Sequence, residues 1–385
     1  MAKKIIKKDW VSTFNLIGEA KINDEYTFKI NQHSEKSDWV YNSMNLGIDC
    51  GEKCGVVYCE CLGGYSAKGN SVLYAHGKDE NGKDDFDSKL EIAWDDRLDE
   101  DVLEEVGDLC FIKVGIEKKE DGSTFDKKFL SEYDAIAYVK EHLEPGTVVN
   151  VKGRLKYSLY KGETQVRKEI TSIALSKADD KSKYDARFTQ TILLDKNSVG
   201  EPDKSKGIIP IYTKVLDYAK DIDGCEVKGQ YPFKKAFEYE ADLDNKELLK
   251  SIISKLFKVK KDITQITFVG RFIEGGAVVQ ATLDDIPDDI KELIELGVYT
   301  EEEALRECAD NGNREKRMVL VKPLIKKVGD EDKKVAVIQK FEKRYTEEDL
   351  AIELEKKKEE KTDEVTDQEV DDDLDDDSLD WLDSI

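Results

Sequence analysis

One short stretch gathers most of the side chains that could do chemistry. Residues 147–177, "TVVNVKGRLKYSLYKGETQVRKEITSIALSK", hold seven cations, Lys152, Arg154, Lys156, Lys161, Arg167, Lys168 and Lys177, against two acids, Glu163 and Glu169. The whole chain carries a formal charge of −24. A cationic segment in so acidic a chain marks a place where a polyanion would bind. Tyr157 and Tyr160 lie inside it, and an aromatic face stacks on any base for roughly 1–3 kcal/mol. If the segment is a strand, Lys152, Arg154 and Lys156 share one face, opposite Val151 and Leu155, because strand side chains alternate. An ordinary solvated hairpin would also place its charges outward. Trp39, Tyr41 and Tyr58, with Tyr65 and Tyr74, are further candidates for an aromatic face, or for cross-strand packing.

Other chemistries find less material. Cys50, Cys54, Cys59 and Cys61 are spaced C-x3-C-x4-C-x-C, with His33 and His76 as conceivable extra zinc ligands. Paired CxxC knuckles are absent, and cysteine is a common buried strand residue, so no metal or other cofactor is expected. The chain has seven cysteines, an odd number that fits a reducing compartment better than a disulfide framework. It has three histidines and no Walker loop, G-x-S-x-G or H-E-x-x-H motif. Acidic runs such as 95–101 resemble a nuclease metal site only as far as abundant Asp and Glu make pairs by chance. A binding protein is expected rather than an enzyme.

The elements around the basic stretch are mainly β. Segments 11–22, 25–32, 39–49, 55–66, 71–77, 89–96 and 109–119 are short and apolar-alternating, and polar or glycine-rich turns separate them. A short helix is expected at 98–107. The stretch 130–146 changes to a helical period, with Ser131 as its start and Pro145-Gly146 as its stop. Two strands follow, 147–160 and 164–176, joined at Lys161-Gly162-Glu163. After a polar linker the order repeats: strands at 187–195, 207–217 and 233–242, a helix at 245–262, then a hairpin at 263–283 around Glu274-Gly275-Gly276. "VNVKGRL" (149–155) aligns by eye with "ITFVGRF" (266–272). Five strands with a helix before the last hairpin suit the Greek-key barrel called the OB-fold, which binds ligands on its strand 2–3 face. The expected layout is a basic arm at 1–10, an OB-like domain at 11–177, a linker at 178–186, a second OB-like domain at 187–345, a helix at 346–361 and an acidic tail at 362–385.

"VVNVKGRLKYSLYKGETQVRKEITSIAL" resembles the fourth and fifth strands of bacterial and phage single-stranded DNA-binding proteins, and "FNLIGEA" (14–20) resembles their first. The resemblance implies an OB-fold that coats single-stranded DNA during replication, recombination and repair. Trp39, Tyr41, Tyr58, Lys152, Arg154, Lys156, Tyr157, Tyr160, Lys161, Arg167 and Lys168 would then form the DNA-binding face. Self-association is a further implication, and Lys3, Lys4, Lys7 and Lys8 would touch phosphate or another protomer. Two domains in tandem depart from the usual one-domain form and suggest a phage or mobile-element version.

The end of the sequence fits the same picture. Residues 362–385 hold twelve acids and no Lys or Arg, so half the net charge sits there. Such a composition is expected to be disordered. The segment closes on Trp381, Leu382 and Ile385. In the resembled family an acidic tail ending in apolar residues recruits replication and repair enzymes. Here Asp375, Asp376, Asp377, Asp380, Trp381, Leu382 and Ile385 would do so, compete with DNA for the basic face, or simply solvate the chain. The rival reading is a non-catalytic acidic interaction module, or an inhibitor that mimics DNA. No run of about 18 apolar residues predicts a membrane span, and "MAKKIIKKDW" lacks the apolar core of a signal peptide. A cytoplasmic protein, of a bacterium or a phage-infected cell, is expected.

Overall fold

The structure is a computed structural model. It describes residues 5–23, 26–120, 122–178, 180–222, 224–259, 261–275, 316–328 and 334–352, with 291, 294 and 300 besides. Alternating apolar residues become strands because one face of each can then be buried. In β1 (Ser12–Lys21) the buried positions are Phe14, Leu16, Gly18 and Ala20. β2 (Phe28–His33) pairs with β3 (Trp39–Asp49), and β3 pairs with β4 (Val56–Ser66). β5 (Val72–Lys78) and β6 (Asp84–Ala93) form a separate two-stranded sheet. The helix α1 (Glu100–Glu105) is capped by Asp99. β7 (Ile112–Lys118) and β8 (Thr124–Phe129) make the next hairpin.

The helix α2 (Glu132–His142) starts on Ser131, whose hydroxyl accepts from the Tyr133 N–H at 3.1 Å. It buries Ala135, Ile136, Tyr138 and Val139, while Ala137 is exposed. β9 (Val148–Tyr160) and β10 (Glu163–Leu175) follow as an antiparallel pair. The first ring then closes. β1 pairs with β3, β3 with β4, β4 runs parallel to β10, and β9 pairs with both β10 and β1. With α2 between the third and fourth ring strands, this is the OB-fold topology.

A second ring repeats the order. Its strands are β11 (Asp185–Leu194), β12 (Ile208–Ile222), β13 (Cys225–Glu240), β14 (Ile263–Glu274) and β15 (Lys316–Pro323). β11 pairs with β12 and β14, β12 with β13, β13 runs parallel to β15, and β15 pairs with β14. α3 (Lys246–Ile252) lies between the third and fourth strands. The short pair β16 (Ile325–Val328) and β17 (Val335–Ile338) follows, and β18 (Lys340–Tyr345) adds to β14.

β1 and β11 pair antiparallel, so the two rings are joined through their first strands, with Phe14 opposite Phe188. The aligned Gly-Arg dipeptides find their reason here. Gly153 pairs with Phe14, and Gly270 with Phe188. A Cβ on Gly153 would lie 2.5 Å from the Phe14 ring, and one on Gly270 2.0 Å from the Phe188 ring. Each barrel lays the phenylalanine of its first strand over the glycine of its fourth.

Several expectations need correction. Among the described residues β14 pairs with β15, some 40 residues on; the second strand of the hairpin expected at 263–283 falls on residues 276–283, which lie outside the described residues. The helix expected at 245–262 stops earlier. α3 ends at Ile252, one wider turn runs to Phe257, and Leu248 stays exposed. β12 and β13 are longer than expected and pair out to Ile222 opposite Cys225. β8 was not anticipated. Of the helix expected at 346–361, the described part is one short turn, Glu348–Leu350; the remainder, and the tail with Asp375, Asp376, Asp377, Asp380, Trp381, Leu382 and Ile385, lies outside the described residues. No helix among the described residues is long and apolar enough to cross a membrane.

Candidate nucleic-acid interface

β9 alternates as its sequence predicts. Val149, Val151, Gly153, Leu155 and Tyr157 point inward, and Lys152 and Arg154 are exposed outward with Lys156 partly covered. Among the described residues, none of these three cations lies within ion-pair distance of a carboxylate. The outer face continues across the ring. On β10 the register sets Arg167 opposite Lys156 and Glu169 opposite Arg154. On β4 the same face carries Tyr58, Glu60 and Leu62, and on β3 it carries Trp39 and Tyr41. Trp39 and Tyr41, two residues apart, stack at 4.8 Å with their planes 16° apart. Tyr160 lies at the far end of β9, where the Lys161 ammonium sits 4.9 Å from its ring centroid.

Carboxylates interrupt this face. Arg167 is 3.6 Å from Glu60 and 4.0 Å from Glu169. Burial pushes the Glu60 carboxyl up, with Arg167 opposing, and burial does the same to Glu132 beside Arg154. Both acids therefore hold a proton more tightly than an ordinary carboxylate does.

Toward the second barrel the face becomes a groove of about 470 Å³. Its floor is Thr13 and Asn15 of β1, Lys152 and Arg154 of β9, and Arg187 and Thr189 of β11. Its wall is Asp108, Leu109, Phe111 and Lys113. Lys113 and Lys128 bind Asp108 at 3.0 and 2.6 Å and hold its carboxyl down to about 2. That acid stays ionised and is already neutralised by its partners. Asn15 Oδ1 is buried there without a hydrogen-bond partner.

Two expected site residues turn inward instead. Tyr157 is 3% exposed, and its hydroxyl donates to Gln190 at 3.0 Å. Its backbone N–H donates to Asp217 at 2.9 Å. It sits at the same parity as Val151 and Leu155, so it packs where they pack. Lys168 faces Leu155 across the ladder. Its ammonium is 2.7 Å from Glu274 of the second barrel, and the two side chains are only 10% and 8% exposed. Lys168 is a bolt between barrels and not a phosphate contact.

The remaining candidates divide. Tyr65 packs with Trp94 and Tyr133 at 4.7 and 5.5 Å, and Tyr74 stands exposed on β5, away from the barrel sheet. Lys7 binds Asp217 at 3.2 Å, and Tyr345 donates to the Ile6 carbonyl at 2.9 Å, so the described part of the arm packs on the second barrel. Lys3 and Lys4 lie outside the described residues. Cys50, Cys54, Cys59 and Cys61 are buried, burial pushes all four thiols up, and Cys59 donates to the Leu46 carbonyl at 3.4 Å. Among the described residues no three His, Cys, Asp or Glu side chains are grouped to hold a metal ion.

A second exposed face was missed. On β12, Tyr212 and Tyr218 are 53% and 52% exposed, and Lys214 lies directly opposite Lys234 of β13. Like charges directly opposite destabilise a ladder, so this pair stands out from ordinary cross-strand packing. "IYTKVLDYAK" (211–220) shows the signal, Tyr-x-Lys at alternating positions, once the segment is known to be a barrel's second strand.

Comparison with known proteins places the chain as follows. A family model described as YorF matches residues 103–265. Two similar solved structures are of the single-stranded DNA binding protein from Thermus aquaticus. One is a deletion mutant, at 11% identity and a TM-score of 0.31; it covers 69% of this chain and 87% of its own. The other is the wild-type protein, at 10% identity and a TM-score of 0.30, with the same coverage. No curated protein sequence matches.

Proposed function

We propose that this chain binds single-stranded DNA without catalysis, along the outer face of its first barrel. The observation that carries the reading is the row Lys152, Arg154 and Lys156. It points outward with no carboxylate within ion-pair distance among the described residues, in a chain of net −24, on the same sheet face as the stacked Trp39 and Tyr41. Phosphates would meet the row and the groove beside it. Bases would stack on Trp39, Tyr41, Tyr58 and Tyr160, and single strands offer such unpaired faces. Arg167 and Lys161 extend the positive edge. Tyr212, Lys214, Tyr218 and Lys234 would take a further segment of strand on the second barrel. The finer reading is a phage-type protein that coats single strands during replication, recombination or repair. Its tail would recruit partner proteins through Asp375, Asp376, Asp377, Asp380, Trp381, Leu382 and Ile385, or compete with DNA.

The test is an anisotropy titration of labelled oligo-dT with the Lys152→Ala/Arg154→Ala variant beside the parent. Affinity is expected to fall about tenfold, and the salt dependence to flatten by about 0.7 in log–log slope per lost phosphate contact. A parent chain that binds no oligonucleotide sinks the reading and favours the acidic interaction module.

A further inference from the structure

The register of the join between the barrels carries a symmetry. Phe14 and Phe188 hold the same place in their barrels, because each pairs with the glycine of its own fourth strand, Gly153 or Gly270. They also pair with each other across the antiparallel ladder of β1 and β11. A residue that faces its own counterpart in an antiparallel ladder marks a local two-fold axis, perpendicular to the sheet. Groups off the axis obey the same relation. Arg154 follows Gly153 and lies opposite Thr13. Arg271 follows Gly270 and lies opposite Arg187, the counterpart of Thr13. Further along, Glu19 pairs with Asp49, and its counterpart Leu193 pairs with Lys214. Two residues back along β3 and β12 stand Gly47, opposite Tyr58, and Tyr212, opposite Ala236. Each barrel thus sets one exposed tyrosine, Tyr58 or Tyr212, at the same cross-strand pair, facing a small residue.

We propose that this chain holds two single strands at once, one on each barrel and running in opposite directions, and thereby speeds the annealing of complementary strands. The inference rests on the single-strand binding proposed above and adds a second strand and an activity to it. A nucleic-acid strand has a direction. A face that fixes this direction on one barrel fixes the reverse on its two-fold counterpart, and reversed directions are what base pairing needs. A single strand can take both faces only by turning back on itself. Two strands brought together repel through their phosphates, and cations placed between them lower that barrier. The join supplies such cations. The groove lined by Phe14 and Phe188 lies on the axis and also holds Lys152, Arg154 and Arg187. Arg271 stands directly opposite Arg187, an arrangement that weakens a ladder unless an anion offsets it. Asp185 pairs with Arg187 and lies 3.8 Å from Arg271. One carboxylate serves two guanidinium groups there, so positive charge remains in excess. Tyr58 and Tyr212 offer each strand a ring on which a base can stack.

The experiment mixes two complementary strands of about 30 nucleotides, long enough for two barrels, one labelled with a donor and one with an acceptor. Energy transfer follows their annealing with and without the full chain. The rate is expected to rise at least about tenfold. In the same buffer, oligo-dT of about 10 nucleotides, suited to one barrel, is expected to saturate at two per chain, with transfer between donor and acceptor copies. Arg187→Ala/Arg271→Ala is expected to cut the annealing rate by a larger factor than it cuts oligo-dT affinity, because it strips charge from the second barrel's side of the join alone. Binding of oligo-dT with an annealing rate at or below that of the free strands overturns this inference and leaves single-strand binding standing. Saturation at one oligonucleotide per chain overturns it equally, as do equal losses of rate and affinity in the variant. Absence of any oligo-dT binding overturns both readings.

Discussion

Glu60 sits on the face proposed to bind phosphate, between Tyr58 and Leu62 and beside Arg167. Burial raises its affinity for a proton above that of the unfolded chain. The folded state then binds more protons than the unfolded state across the window from about 4.5 up to the raised value, so stability falls as pH rises through that window. Glu132 contributes with the same sign. Glu60→Gln should therefore flatten the fall in melting temperature with rising pH, and should tighten oligo-dT binding several-fold at pH 7 by releasing Arg167. A melt series and an anisotropy titration check the two effects, and unchanged binding would remove Glu60 from the interface. Trp39→Ala and Tyr41→Ala should each cost roughly 1–3 kcal/mol of binding, with circular dichroism unchanged because both rings lie on the outer face. At this scale the sequence was readable wherever period-two alternation decides the outcome. Lys152, Arg154 and Lys156 stand outward as their spacing implies. Tyr157 should have been assigned inward by the same parity. Lys168 is inward because Glu274, more than a hundred residues away, supplies its counter-charge, and no local pattern carries that information.

At the scale of elements, the two barrels rest on matched close contacts. Gly153→Ala would drive a methyl group into the Phe14 ring and the Glu169 carbonyl, and Gly270→Ala would drive one into the Phe188 ring. Overpacking of a tight site typically costs about 1–3 kcal/mol, and contacts this short place both variants at or above the upper end. The Lys168–Glu274 bolt makes a separate prediction. Glu274→Ala leaves a buried ammonium unpaired and should cost about 3 kcal/mol, whereas Lys168→Met with Glu274→Leu should cost much less. Chemical denaturation of the singles and the double measures this; equal losses would show that the ion pair is solvent-screened. The sequence revealed the repeated order of strands, helix and closing strand, because apolar periodicity marks each element. It concealed the closing partner of β14, because strand pairing is set by tertiary contacts, and the β5–β6 and β7–β8 additions, which share the local pattern of barrel strands.

At the scale of the whole molecule, charge is divided between a cationic face and a strongly acidic remainder. The segment 371–385 lies outside the described residues, and its composition alone makes the prediction. If it competes for the cationic face, its deletion should tighten oligo-dT binding at low salt, with the difference shrinking as salt screens both interactions. Deletion without effect at any salt would leave it a solvating segment. The join through β1 and β11, with Phe14 facing Phe188, brings Arg154 and Arg187 into one groove. On the proposed function, a single strand bound in that groove would touch both barrels of one chain.

The most direct measurement is the affinity of the full chain for labelled oligo-dT, followed by anisotropy from about 50 to 200 mM salt, a range over which phosphate contacts weaken measurably. Saturable binding is expected, with affinity falling as salt rises and with Lys152→Ala/Arg154→Ala flattening that fall. Absence of binding at the lowest salt, in the full chain and in the chain lacking 362–385, would contradict single-strand binding on the Lys152–Arg154–Lys156 face.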